Sequence, residues 1–249
     1  MGYESSEALI FNLVDYSNTS KIITFLSSSR GKIACIAKGI NRKNNPWRFF
    51  SDRLNLVEIQ YIWKTTREVQ TLIEMTLLNN YPEIKKDIYR QTLASLLLEY
   101  AYYLTPREEK SEKSFTIVRK AFELISNVCI PLYEVYEKIP IFQWSLLKIQ
   151  GIEPQLTYCC NCGIPVNKIS KFSFMGGIVC DKCPYHALLS KEEVSVLHSI
   201  SQMNISGDLQ PINIQNQTLK KLVLLLCDYS KFHTEQEIKS LRVYRELFD

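Results

Sequence analysis

The spacing of apolar residues changes once along this chain, near residue 81. Before that point, short runs rich in Ile, Val, Leu, Thr and aromatics are separated by polar or turn-forming segments. Ala8–Val14, Lys21–Leu26, Lys32–Ala37, Asn55–Trp63 and Glu68–Met75 each predict a strand. In the fourth, Val57, Ile59, Tyr61 and Trp63 alternate with Leu56, Glu58, Gln60 and Ile62, the period of two expected of a sheet with one wetter face. Ser27–Gly31 reads as a tight connection between the second and third strands, and a long basic loop precedes the fourth. Five short strands in fewer than about 80 residues fit a small Greek-key barrel of the OB type, and a five-stranded SH3-like barrel fits the strand count nearly as well.

After Tyr81-Pro82 the period becomes helical. Ile88, Leu93, Leu96, Leu97, Tyr100 and Leu104 mark a helix over 85–104, with Pro106 just beyond its end. A charged stretch, Pro106 to Lys113, reads as a loop, and Phe115, Val118, Phe122 and Ile125 mark a second helix. A third runs from Pro140 to Gln150, with Gly151 as its stop. Ser190-Lys191-Glu192-Glu193 is a capping box opening another, and the last well-marked helix spans Gln217–His233. The expected organisation is an α+β multidomain protein. A five-stranded OB-type β-barrel occupies residues 1–80, a helical domain fills 81–156 and 188–249, and a four-cysteine zinc-finger insert lies at 157–187.

That insert carries the densest chemistry. Cys159, Cys162, Cys180 and Cys183 form C-x2-C-x17-C-x2-C, a spacing at which each pair turns two thiolates onto one tetrahedral ion. Four sulfurs close the coordination sphere, so the expected cofactor is one structural Zn2+. Gly163 follows the first pair as a knuckle turn does. Lys168, Lys171 and Lys182 soften the charge of a four-thiolate site, and Phe172 to Gly177 reads as a small hairpin over the ion. Cys160 competes with Cys159 as a ligand, but one residue between it and Cys162 suits a knuckle less well. His186 is expected to be a satisfied surface histidine, and Cys35, Cys129 and Cys227 to be buried small hydrophobes.

Composition narrows the function. Hydrophobic residues make up 46% and charged residues 22%, enough to build packed cores. No apolar run approaches the roughly 18 residues needed to cross a bilayer, and the N-terminus has no secretory pattern, so a cytoplasmic, nucleoid-associated protein without a membrane partner is expected. Such a compartment favours metal over disulfides for paired cysteines. Catalytic machinery is not visible: H-E-x-x-H, Walker, G-x-G-x-x-G and G-x-S-x-G motifs are missing, and His186, His198 and His233 have no evident acid partner. Acidic pairs such as Glu108-Glu109 and Glu192-Glu193 read as solvated faces and helix starts.

The net charge of +4 is modest, but its distribution is not. Arg30, Lys32, Lys38, Arg42, Lys43, Arg48 and Arg53 stand against Asp52 alone, seven minus one, or a local +6. Around them Asn41, Asn44, Asn45, Trp47, Phe49 and Phe50 supply amides and aromatics, the residue types that accompany cations at phosphate and unpaired bases. Arg30, Lys32, Lys38, Arg42, Lys43, Trp47, Arg48 and Arg53 are therefore the candidate nucleic-acid contacts. The alternative is a solvated loop whose Trp47, Phe49 and Phe50 cap the bottom of the barrel.

Taken in order, these pieces resemble the bacterial recombination mediator family RecO across nearly the whole chain. The matching segments are Ala8-Leu9-Ile10 with Tyr16 to Phe25, Arg30-Gly31-Lys32 with Ala37-Lys38-Gly39, Leu147 to Gly151, Phe172 to Gly177, and Ile238 to Leu241. The resemblance implies a non-catalytic DNA-repair factor that binds single- and double-stranded DNA and anneals complementary strands. It also implies a role in loading the strand-exchange recombinase onto DNA coated by single-stranded-DNA-binding protein. The implied partners are RecR and the acidic C-terminal tail of the coating protein, with the tail site in the helical part. Asn44-Asn45-Pro46-Trp47 departs from the family's more Arg- and Ser-rich run. Two readings compete with this one: a zinc-finger DNA-repair enzyme of the glycosylase type, and an RNA-binding adaptor. The first fits poorly, because Met1-Gly2-Tyr3-Glu4 is not the catalytic Pro-Glu start of such enzymes.

Overall fold

The first strand is twice its expected length. In the computed structural model, which describes residues 2–106, 112–166, 171–203, 205 and 214–248, strand β1 covers Gly2–Asp15. Its first half carries no apolar signal because Gly2–Glu7 forms the barrel's lip, where most side chains meet water. That half pairs antiparallel with β4 (Leu56–Trp63), from Gly2 opposite Trp63 to Leu9 opposite Leu56. The second half pairs with β2 (Lys21–Ser27), and a register shift between Ile10 and Asn12 leaves Phe11 out of step.

β2 turns back through residues 28–30 into β3 (Gly31–Ala37), where Gly31 at φ 61° takes the left-handed conformation that the turn requires. Strand β5 (Val69–Asn79) pairs antiparallel with β4 and parallel with β3 over Ala34–Ile36, closing a barrel of order β1-β2-β3-β5-β4. The shared β1 and the parallel seam between β3 and β5 make this the OB-type Greek key. Inward positions follow the period of two: Val57, Ile59, Tyr61 and Trp63 meet Ile23, Phe25, Ile33 and Cys35 in one core. Leu56 is also buried, although alternation placed it on the wetter face, because the β4–β5 register shifts between Leu56 and Val57.

The helix expected from residue 85 is two helices. Asp87 adopts extended angles between α1 (Pro82–Lys86) and α2 (Ile88–Leu104), and its carboxylate accepts from the Tyr89 and Arg90 N–H groups as an N-cap. Helix α3 (Glu112–Ser126) packs on α2. Arg90 is buried there and donates to the Ile125 and Asn127 carbonyls at 2.6 and 3.2 Å, satisfying the open end of α3. Arg119 of α3 pairs with Glu7 of β1 at 2.7 Å. Through such contacts the first three helices group with the barrel in a compact unit spanning Met1–Asn127.

The second unit, Val128–Asp249, holds the rest. Helices α4 (Leu132–Glu137) and α5 (Ile139–Ile149) precede the cysteine module, whose small sheet has β6 (Lys171–Ser173) between β7 (Gly177–Ile178) and β8 (Ala187–Leu188). Helices α6 (Lys191–Gln202), α7 (Asn216–Thr234) and α8 (Leu241–Leu247) follow. The capping box at Ser190 and Glu193 is formed as the sequence predicts. α4 and α8 escaped the sequence reading because at six and seven residues they are too short to display a period. α8 is held by the buried Tyr244, whose hydroxyl bonds that of Tyr136. Cys35 and Cys227 are buried as expected, but Cys129 is exposed, because it lies in the turn before α4 rather than in a core element. Lys168 and the pair Glu108-Glu109 lie outside the described residues. No helix among the described residues is long and apolar enough to cross a membrane.

Candidate nucleic-acid interface and metal centre

The four cysteines singled out by spacing converge. The Sγ atoms of Cys159, Cys162, Cys180 and Cys183 all lie within 4.8 Å of one another, with Cys162 and Cys180 3.7 Å apart. Tetrahedral ligands about 2.3 Å from a zinc ion stand about 3.8 Å apart, so the donor set fits one such ion. All eight cysteines are free thiols. Each pair sits on a knuckle: Gly163 at φ 74° lets its N–H donate to the Cys159 carbonyl, and the Cys183 N–H donates to that of Cys180. Burial raises the Cys159 thiol, but hydrogen bonds from the backbone of Cys180, Cys162 and Asn161 outweigh it and bring the pKa down to about 6. The Lys182 backbone lowers Cys180, while Cys183 is held up. Thiols this close cannot all ionise unless a cation joins them.

Cys160 is outside the cluster. Its thiol points toward the Gly177 carbonyl, and its Cβ would stand 3.1 Å from a Cβ added at Gly176. Gly177 is still more constrained: at φ 122°, a Cβ there would meet the Gln155 carbonyl oxygen at 2.3 Å. The doubled cysteine therefore divides into one member of the thiol cluster and one packing residue. His186 is exposed, stacked on Phe174, with its Nδ1 near the Ser173 hydroxyl and the Phe174 N–H.

The candidate nucleic-acid residues do not converge in the same way. Arg30 precedes β3 and Lys38 follows it, so they stand at opposite ends of a seven-residue strand, about 23 Å. Arg30 is also occupied: its guanidinium makes two 2.6 Å hydrogen bonds to the Glu4 carboxylate and sits 4.2 Å from the Trp63 ring centre. The Arg30 hydrogen bond, helped by one from Tyr61, holds the Glu4 carboxyl below its usual range against the effect of burial. Lys32 and Arg53 flank a Phe11–Tyr102 stack with ring centres 3.8 Å apart. Lys32 donates to the Tyr103 carbonyl and Arg53 to that of Phe11.

Lys38, Arg42, Lys43 and Arg48 remain together on the loop between β3 and β4. All four are exposed, and none ion-pairs with an acid among the described residues. The loop itself is ordered by local bonds. Gly39, at φ 72°, donates its N–H to the Ser20 hydroxyl and accepts from Arg42 N–H, while Asn41 N–H reaches the Thr19 carbonyl. Asn45 bonds the Gly39 carbonyl with its amide nitrogen and caps a short 3-10 helix, Pro46–Phe49, by accepting from Trp47 N–H. Trp47 and Phe50 pack against the barrel core, whereas Phe49 is 81% exposed. The capping reading of the aromatics thus describes Trp47 and Phe50 but not Phe49. An Asn-Pro pair is a helix-start signal that could have located this turn.

Residues 1–81 match the family described as Recombination protein O N terminal, and residues 85–242 match Recombination protein O C terminal. A DNA repair protein RecO from Desulforamulus reducens is 25% identical over 249 residues, covering 97% of this chain and 94% of its own length. Proteins of the same name from an Exiguobacterium species and Bacillus pumilus are each 23% identical, covering 96% and 97% of this chain and 94% and 93% of their own lengths.

Proposed function

The chain belongs to the RecO family of DNA repair proteins, and from that premise we propose that it is a non-catalytic recombination mediator. In this reading it binds single- and double-stranded DNA through the barrel of residues 1–80 and anneals complementary strands. With RecR, it helps load the strand-exchange recombinase onto DNA coated by single-stranded-DNA-binding protein, whose C-terminal tail it contacts through its helical part. It acts in the bacterial cytoplasm at the nucleoid, and its four cysteines hold a structural Zn2+.

The observation that carries the DNA-binding part is the quartet Lys38, Arg42, Lys43 and Arg48, four cations without acid partners among the described residues, on an ordered loop at one end of the barrel. Unpaired surface cations gain most from phosphate, because binding releases the counterions condensed on nucleic acid and no internal ion pair has to break. Lys32 and Arg53 extend this surface along the barrel wall beside the Phe11–Tyr102 stack, and Trp47 contributes to its support. Annealing follows when two strands are neutralised on surfaces of this kind at once.

The test is Arg42→Glu with Lys43→Glu. Its affinity for single-stranded DNA should fall, with the slope of log affinity against log salt shrinking by about 1.4, or roughly 0.7 for each lost cation. Annealing of complementary oligonucleotides, bare and coated, should fall with it. Unchanged binding at moderate salt would remove DNA from this end of the barrel, and tighter binding of RNA than of DNA of equal length would favour the adaptor reading.

A further inference from the structure

Phe49 is the residue that the placement of DNA leaves unexplained. Among the large hydrophobic side chains of the described residues it is, with Tyr3 at 80%, the most exposed, at 81%. Its backbone is nevertheless fixed on both sides. Asn45 caps the short helix, the Phe50 and Ser51 N–H groups donate to the Trp47 carbonyl, and the Asn55 amide donates to the Phe50 carbonyl at 2.7 Å. In a 3-10 turn, residues three apart eclipse one another. Trp47 and Phe50 therefore share the face that plugs the barrel, and Arg48 and Phe49 between them are turned to solvent.

An exposed Phe alone means little, since scattered surface apolar residues are ordinary. This one is accompanied. The Arg48 guanidinium lies over its ring, 5.5 Å from the centre, and Lys38, Arg42 and Lys43 stand on the same loop without acid partners among the described residues. Tyr16, 64% exposed, sits in the β1–β2 turn to which Asn41 ties this loop. A rigid ring presented among cations is the arrangement that stacks on a nucleobase while the charges hold the backbone. A duplex offers no free base face away from its ends. The phosphate contacts bind either form of DNA, whereas the ring can reward only an unpaired one.

We propose that Phe49 is a base-stacking residue that gives this site its preference for single-stranded over duplex DNA. The proposal rests on the placement of DNA at this end of the barrel. Stacking also explains why an apolar side chain is kept out of the barrel plug: the ring is withheld from the core so that it can be covered by the ligand. The preference it creates has a mechanical use, since a strand held by its bases through one ring remains open along its other bases to a complement.

The test uses the full-length protein with an oligonucleotide carrying a single 2-aminopurine, and the same sequence as a duplex. Phe49→Ala should weaken single-strand binding about 5- to 150-fold, the range that loss of one base–aromatic stack produces. Duplex affinity should move less than about twofold, and the salt slope should stay as in the wild type. Quenching of 2-aminopurine on binding should be lost in Phe49→Ala and retained in Phe49→Trp. Because the side chain is exposed, the thermal midpoint should not move, which removes misfolding as a cause. Equal losses on single strands and duplex, or undiminished quenching in Phe49→Ala, would overturn the assignment. Arg42→Glu with Lys43→Glu, run alongside, separates two failures: if that variant binds normally, the site is misplaced; if it loses binding while Phe49→Ala behaves as wild type, only the stacking role falls.

Discussion

The basic loop and the cysteine module are both stretches of irregular chain held in a definite shape, yet they are held by opposite means. Among its described residues the module has little apolar burial of its own beyond Phe172, Ile178 and Val179, and four sulfurs meet at its centre. The loop has no such centre. Asn45, Asn55 and Ser20 satisfy its backbone one bond at a time, and Trp47 and Phe50 anchor it in a core that exists without it. One segment is organised from within around four converging thiols, the other from outside by its host. The first should fail all at once when a single donor is lost, the second by degrees.

Three changes would break or sharpen that contrast. The largest effect is expected at the cysteines. Cys159→Ser should abolish stoichiometric metal in the purified protein and unfold the module, since structural zinc supplies on the order of 10 kcal/mol to a small site. Cys160→Ser should keep the metal and lower the melting temperature only slightly; metal analysis with thermal scans reads both. A smaller effect is expected at Arg30. Arg30→Met removes the two-bonded pair with Glu4 and should lower stability by about 1 kcal/mol, with DNA affinity unaltered, the reverse of what charge reversal at Arg42 and Lys43 should do. Comparing denaturation midpoints with DNA titrations for the two variants checks this. Smallest is a pH effect at the same pair. Glu4 is held below its ordinary 4.5 by Arg30, so its contribution is fully present above that value and drains away as pH falls through the lowered one. The stability gap between wild type and Glu4→Gln should close over that acid range in denaturant melts, and be constant above it.

The same contrast explains what could be read from the sequence. Cysteine spacing is itself a geometric statement, because two C-x2-C knuckles can close only on a common centre, so Cys159, Cys162, Cys180 and Cys183 were legible in advance. The density of cations states nothing about geometry. Arg30 and Lys38 are neighbours in sequence, but the intervening strand carries them to opposite ends of the barrel, and Arg30 meets Glu4, a residue 26 positions earlier. The strands themselves were legible wherever one face is buried. The start of β1 was not, because its pairing partner lies more than 50 residues away and its side chains face water. Trp47, Phe49 and Phe50 look alike in composition, and only the three-residue turn that separates them decides which fill the plug.

The doubled pairing of β1 limits how the barrel can be recognised. β1 bonds β4 along Gly2–Leu9 and β2 along Ala8–Asp15, so it has hydrogen-bonded neighbours on both sides chiefly at Glu7–Ile10. At that crossing the main chain is closed to a further strand, and a partner meeting it there is read through side chains.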